Sequence, residues 1–104
     1  MFRGGNINQL MKVAKQLQQQ ATKLKEEIES KEFTGTAGGG AVKVVAKGSG
    51  EIVSVEIAPE LLNPEEKEML QDLIVLAANQ AIKEGRELLK KEMEKITGGL
   101  GGLF

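Results

Sequence analysis

INQLMKVAKQLQQQATKLKEEI, residues 7–28, sets Ile7, Leu10, Ala14, Leu17, Ala21, Leu24 and Ile28 at alternating gaps of three and four. No Gly or Pro interrupts the run, and a seam sustained over three heptads describes one helix whose apolar stripe must meet another helix. The pattern predicts about 25 residues of helix, capped by Asn6 or Asn8 and running to about Lys31. At ~1.5 Å per residue such a helix is roughly 35 to 40 Å long, more than the body of so small a domain covers. It is expected to project as an arm.

Beyond Lys31 the apolar period changes from helical to alternating. Phe33–Ala37, Ala41–Lys47 and Glu51–Ala58 read as three short antiparallel strands, separated by Gly38-Gly39-Gly40 and by Gly48-Ser49-Gly50. In the third, Ile52, Val53, Val55 and Ile57 are expected to carry most of the burial, with Ser54 and Glu56 pointing away. Asn63-Pro64-Glu65-Glu66 then opens a second helix, with Asn at the cap, Pro in the first turn and carboxylates complementing the helix dipole. It should extend to about Thr97, where Gly98 and Gly99 stop it.

The middle of that second helix is unusual, because no residue from Leu73 to Ile82 is charged. Its apolar residues cover more than one face, and a three-stranded sheet with one neighbouring helix leaves part of them wet. A homodimer follows as an expectation, with Leu73, Ile74, Ala77, Ala78, Ala81 and Ile82 at its core. Farther along, Leu88, Leu89, Met93 and Ile96 form a stripe suited to the N-terminal seam. A coiled coil between two copies of the first helix meets the same spacing. The tail from Gly98 to Phe104 alternates glycines with Leu100, Leu103 and Phe104.

One domain, residues 1–104, accounts for the whole chain, since 40% hydrophobic and 28% charged residues give a globular balance. The architecture read from these elements is α+β, in the order αβββα. Cysteine and histidine are both absent, which removes disulfides, thiolate chemistry, the commonest metal ligand and the usual general base. No enzyme, cofactor, metal site or small-molecule substrate is expected. The longest nearly apolar run, Leu73 to Ala78, is too short to span a bilayer, so a soluble intracellular protein is the default.

Net charge is −1, and its distribution is uneven. Arg3, Lys12, Lys15, Lys23 and Lys25 fall between Met1 and Lys25 without a single acid, and Glu26, Glu27, Glu29 and Glu32 then reverse the sign. On a helical wheel Lys12, Lys15 and Lys23 share an arc of about 80° opposite the seam, while Lys25 flanks it. Lysines are ordinary occupants of a solvated helix face, yet such a face usually mixes signs. A ridge contacting the phosphates of a duplex is the functional reading. Base readout is not expected, because Phe2, Phe33 and Phe104 are scattered and neither Trp nor Tyr is present. The glycine run 38–40 precedes a strand and lacks the Lys of a phosphate loop, so it reads as a turn. Asp72, the only aspartate, reads as a hydrogen-bonding group at the dimer core, with no base or nucleophile beside it.

Taken in order, Met11-Lys12, the Gln-rich helix to Glu27, Gly35, Ala37-Gly38-Gly39-Gly40, Val42, Val44, Gly48, the Ile52–Ile57 strand, Leu70, Asp72-Leu73-Ile74, Ala77, Asn79 and Ala81 resemble the YbaB/EbfC family of bacterial nucleoid-associated proteins. The resemblance covers nearly the full chain, including the tail ending in Leu103-Phe104. It implies a tweezers-shaped homodimer with helical arms that binds double-stranded DNA with little sequence preference and alters its conformation. It also implies a cytoplasmic protein located on the nucleoid, in a family often linked with recombination and repair genes. Binding determinants carried by the arms correspond here to Lys12, Lys15 and Lys23, and to Arg86, Lys90, Lys91 and Lys95, which are interleaved with Glu84, Glu87, Glu92 and Glu94. A dimeric protein-interaction adaptor is the alternative.

Overall fold

The computed structural model describes residues 4–98, with side chains from Ile7 onward. Helix α1 spans Gly4–Ser30, followed by strands β1 (Glu32–Ala37), β2 (Val42–Lys47) and β3 (Ile52–Ile57), two 3-10 turns at Pro59–Leu61 and Pro64–Glu66, and helix α2 (Lys67–Gly98). This is the αβββα order expected. Helix α1 already includes Gly4, so Asn6 and Asn8 lie inside the helix and neither is its cap. Asn63 does cap the other helix: its side-chain oxygen accepts from the Glu66 N–H at 3.1 Å, and its amide donates to the Glu60 carbonyl at 3.0 Å. The first turn there is 3-10 and the α-helix proper begins at Lys67.

The strands form one antiparallel sheet in the order β1-β2-β3. Register puts Gly35 opposite Val44 and Val44 opposite Val55, so these three residues form a row across one face. The register shifts beside Val45 and Ala46, pairing Ala46 with Ile52. Gly38, Gly39 and Gly40 all take positive φ in the β1–β2 turn, a conformation in which L side chains are strained.

Packing of α2 on this sheet is set by missing side chains. A Cβ at Gly35 would collide with the Ala77 carbonyl oxygen and stand 2.7 Å from the Ala81 nitrogen, so helix backbone rests directly on strand backbone. Ala77 and Ala81 are fully buried there, and the core continues through Val42, Val44 and Leu61. Gln80 on the flank accepts from the Thr36 N–H at 3.0 Å, satisfying a donor at the outer edge of β1.

Because α2 lies over β1 and β2, it leaves β3 uncovered. Ile52, Val53 and Val55 are 44%, 45% and 43% exposed, which corrects the burial expected of them from alternation. Alternation reports which face a side chain takes, and says nothing of whether a second layer reaches that strand. Ile57 alone is half-buried against the core.

Gly35→Ala is expected to destabilise the fold by roughly 2 kcal/mol or more, because backbone on both sides must shift. At Gly85, where the nearest atoms to an added Cβ are the Gly48 Cα at 3.0 Å and the Phe33 ring at 3.1 Å, Ala should cost less. Urea unfolding of the two variants checks the order.

Candidate nucleic-acid interface

The candidate site is the surface of α1, and its geometry begins at the root of that helix. A Cβ at Gly48 would collide with the Ile28 carbonyl oxygen, so the β2–β3 turn sits against the end of α1. Gly48 N–H donates to the Lys31 carbonyl at 2.9 Å and Ser49 N–H to the Glu29 carbonyl at 3.2 Å. Ile28 is 4% exposed, and Phe33 is buried in the adjoining strand. Gly85 brings α2 onto the same junction, touching Gly48 and Phe33. Three backbone segments therefore meet where the arm leaves the sheet.

From this root the seam zips part of the way along α2. Leu17, Ala21 and Leu24 are half-buried, as are Leu88, Leu89, Met93 and Ile96 of α2. Leu24 and Ile96 line one groove between the two helices, with Gln20, Lys23 and Glu27. Residues 17–28 of the seam thus find their partner within the same chain. Ile7, Leu10 and Ala14 remain exposed, together with Met11 and Val13. The described residues extend over 73 × 20 × 15 Å, the dimensions of a rod.

Lys12, Lys15, Lys23 and Lys25 are all exposed on α1. Among the described residues the ion pairs are Lys47 with Glu51 at 3.4 Å, Lys83 with Glu87 at 3.8 Å and Lys95 with Glu92 at 3.2 Å, so none engages an α1 lysine. Lys12 and Lys23 lie three turns apart, roughly 16 Å along the axis. Lys15 and Lys23 border a shallow depression with Gln18, Gln19, Thr22 and Glu26, the acid marking its inner end. Distal α2 differs in carrying acids among its cations: of Arg86, Lys90, Lys91 and Lys95, Lys95 is paired with Glu92, and Lys83 nearer the sheet is paired with Glu87. Arg3 lies outside the described residues, as do Leu100, Leu103 and Phe104.

The six residues expected at a dimer core divide into two groups. Ala77 and Ala81 are already buried against the protomer's own sheet, whereas Leu73, Ile74, Ala78 and Ile82 are half-buried. Val75 and Leu76, at 57% and 60% exposure, are the bare apolar residues of that stretch. Asp72 is exposed in the protomer. Among the described residues no helix is long and apolar enough to cross a membrane.

A long helix whose exposed charges are all cationic from Lys12 to Lys25 and turn acidic only at its root, set on a small sheet, defines a carrier of charge along a rod. A family model described as the YbaB/EbfC DNA-binding family matches residues 3–100. The chain belongs to that family. It is 50% identical over 103 residues to a nucleoid-associated protein of Pelotomaculum thermopropionicum, covering 97% of this chain and 98% of the relative. A nucleoid-associated protein of Clostridium novyi is 52% identical over 103 residues, covering 97% and 90%. The crystal structure of an uncharacterized protein from Helicobacter pylori matches the fold with a TM-score of 0.71 at 26% identity, covering 93% of this chain and 99% of that one.

Stability and charge should separate cleanly on α1. Ile28→Ala is expected to cost about 2 to 4 kcal/mol by opening a cavity at the root. Reversing Lys12, Lys15 and Lys23 to Glu should change stability by about 0.5 kcal/mol or less per site, since each is a solvated surface residue. Thermal unfolding of both variants tests this.

Proposed function

We propose that the protein binds double-stranded DNA as a homodimer, with little sequence preference, through the cationic face of α1. Lys12, Lys15 and Lys23 carry the contact, Lys25 and Arg3 add to it, and the bound duplex changes conformation. Its work is nucleoid organisation, gene regulation or DNA protection, in the cytoplasm and on the nucleoid. The observation that supports this best is the run of exposed lysines with no acid before Glu26 and no ion pair to hold them. Such a surface offers point charges to phosphate and no instrument for reading base edges, so recognition falls on the backbone and shape of the duplex. Membership of a DNA-binding family agrees with this reading.

A second reading rests on a different observation. Ile7, Leu10, Met11 and Val13 leave the far end of the arm apolar and bare, as an adaptor holding another polypeptide requires. In that case the lysines serve solubility alone.

Mobility shifts over a salt series, on duplexes of unrelated sequence, separate the two. DNA binding predicts similar affinity for each duplex and a log–log salt slope of about −0.9 per phosphate neutralised. The K12E/K15E/K23E variant should lose most of that affinity and flatten the slope while keeping its oligomeric mass. Absence of binding at low salt, or strong preference for one duplex, contradicts the proposal. A protein partner that survives nuclease and is lost in Leu10→Asp supports the adaptor.

A further inference from the structure

Helix α2 gives out before α1 does. Gly85 touches Gly48, which rests on Ile28 at the foot of α1, and farther along α2 Ile96 shares a groove with Gln20 and Leu24. The two helices therefore run antiparallel. Helix α2 ends at Gly98, and at ~1.5 Å per residue that end lies roughly level with Gln20. Past this point the seam goes on without a cover. Ile7 is 47% and Leu10 42% exposed, and Ala14 is exposed with them.

The chain that leaves α2 there is Gly99-Leu100-Gly101-Gly102-Leu103-Phe104, outside the described residues, and none of its side chains is polar. Its length matches the open seam. From Gln20 back to Ile7 is roughly 20 Å of helix. In a polyproline II conformation, which needs no backbone partner, residues 99–104 cover roughly 19 Å at ~3.1 Å each. Three residues per turn put Leu100 and Leu103 on one face. Leu100 then falls between Leu17 and Ala14, Leu103 at Leu10 and Phe104 near Ile7. The glycines between them let the backbone lie close against the helix.

We infer that residues 99–104 run on along α1 as a strap and close the open half of its seam. The segment is tethered at the edge of the surface it covers, so its effective concentration there is of millimolar order, far above that of any separate chain. Apolar side chains on both sides leave water together. Lys12 and Lys15 point away from the seam and stay free, so the strap steadies the half of α1 that carries them without covering them. The inference concerns the seam and stands or falls apart from the DNA reading.

Hydrogen exchange on the full chain tests it, against a variant in which Leu100, Leu103 and Phe104 are all replaced by Ser. The strap predicts that amides of residues 8–16 exchange about tenfold or more faster in L100S/L103S/F104S. Residues 21–28, zipped onto α2, should keep their rates and serve as the control for folding. Equal rates at 8–16 in both proteins overturn the inference. So does protection that persists in the variant and grows with protein concentration, which assigns the open seam to a second copy.

Cross-linking supplies an independent readout, because native cysteine is absent. Gly102→Cys is paired with Ala14→Cys on the seam or with Gln16→Cys on the opposite face, and each double variant is treated with a short bis-maleimide. The strap predicts a product within one chain that is several-fold greater for Ala14→Cys, although Gln16 is nearer the end of α2. Equal yields describe a roaming tail, and a product joining two chains describes a tail docked on another copy; either overturns the inference. If the Ser variant loosens residues 21–28 as well, this comparison decides.

Discussion

Helix α2 touches the sheet backbone to backbone at Gly35, and most of the architecture follows from that contact. Ala77 and Ala81 bring no bulk, Gly35 brings none, and any Cβ at Gly35 meets helix backbone. The axis of the helix is thereby committed to the β1–β2 side of the sheet. One turn further on, Gly85 and Gly48 repeat the arrangement at the foot of α1. Small residues are usually weak contributors to a core because they bury little surface. Here they set distance and direction, and Val42, Val44 and Leu61 fill the space that remains.

Two surfaces result from that commitment. Distal α2 runs out beyond the sheet as a track for α1, so the seam from Leu17 to Ile28 is zipped onto it and the lysine face turns outward. On the opposite side β3 is left with apolar residues in water. Placement of the helix thus accounts both for a charged rod and for an unfinished core, and a dimer built on the second would carry two copies of the first. Backbone hydrogen bonds at its foot and the seam from Leu17 to Ile28 hold the half of α1 that carries Lys23 and Lys25, while Lys12 and Lys15 stand beyond it at the helix's own regular spacing. That matters for a partner whose charges are themselves regularly spaced.

Much of this was legible in residue order. Period alone gave α1 and separated it from the strands, and Asn63-Pro64 located the second helix start through chemistry that the structure reproduces. The acid-free stretch before Glu26 drew attention to Lys12, Lys15 and Lys23, and the family to which the chain belongs binds DNA. What order did not show was lateral placement. Alternation in β3 put Val53, Val55 and Ile57 on one face but could not report the register shift that sets Ile52 opposite Ala46, nor that α2 lies over the neighbouring strands, and Ala77 and Ala81 looked as available to a second chain as Ile74 and Ile82. The close contact at Gly35 is a three-dimensional fact whose sequence trace is one glycine in a strand. Likewise the seam specified a partner helix without saying that only its second half, from Leu17, would find one in the same chain.

The most direct test of the central claim, that the outward face of α1 meets the duplex, is lysine labelling by an acylating reagent with and without DNA, read residue by residue by mass spectrometry. The account predicts that Lys12, Lys15 and Lys23 become protected on binding, while Lys83, Lys90 and Lys91 of the mixed-sign helix label as before. Protection confined to α2 or to Lys43 and Lys47 of the sheet, with Lys12, Lys15 and Lys23 unchanged, would contradict it.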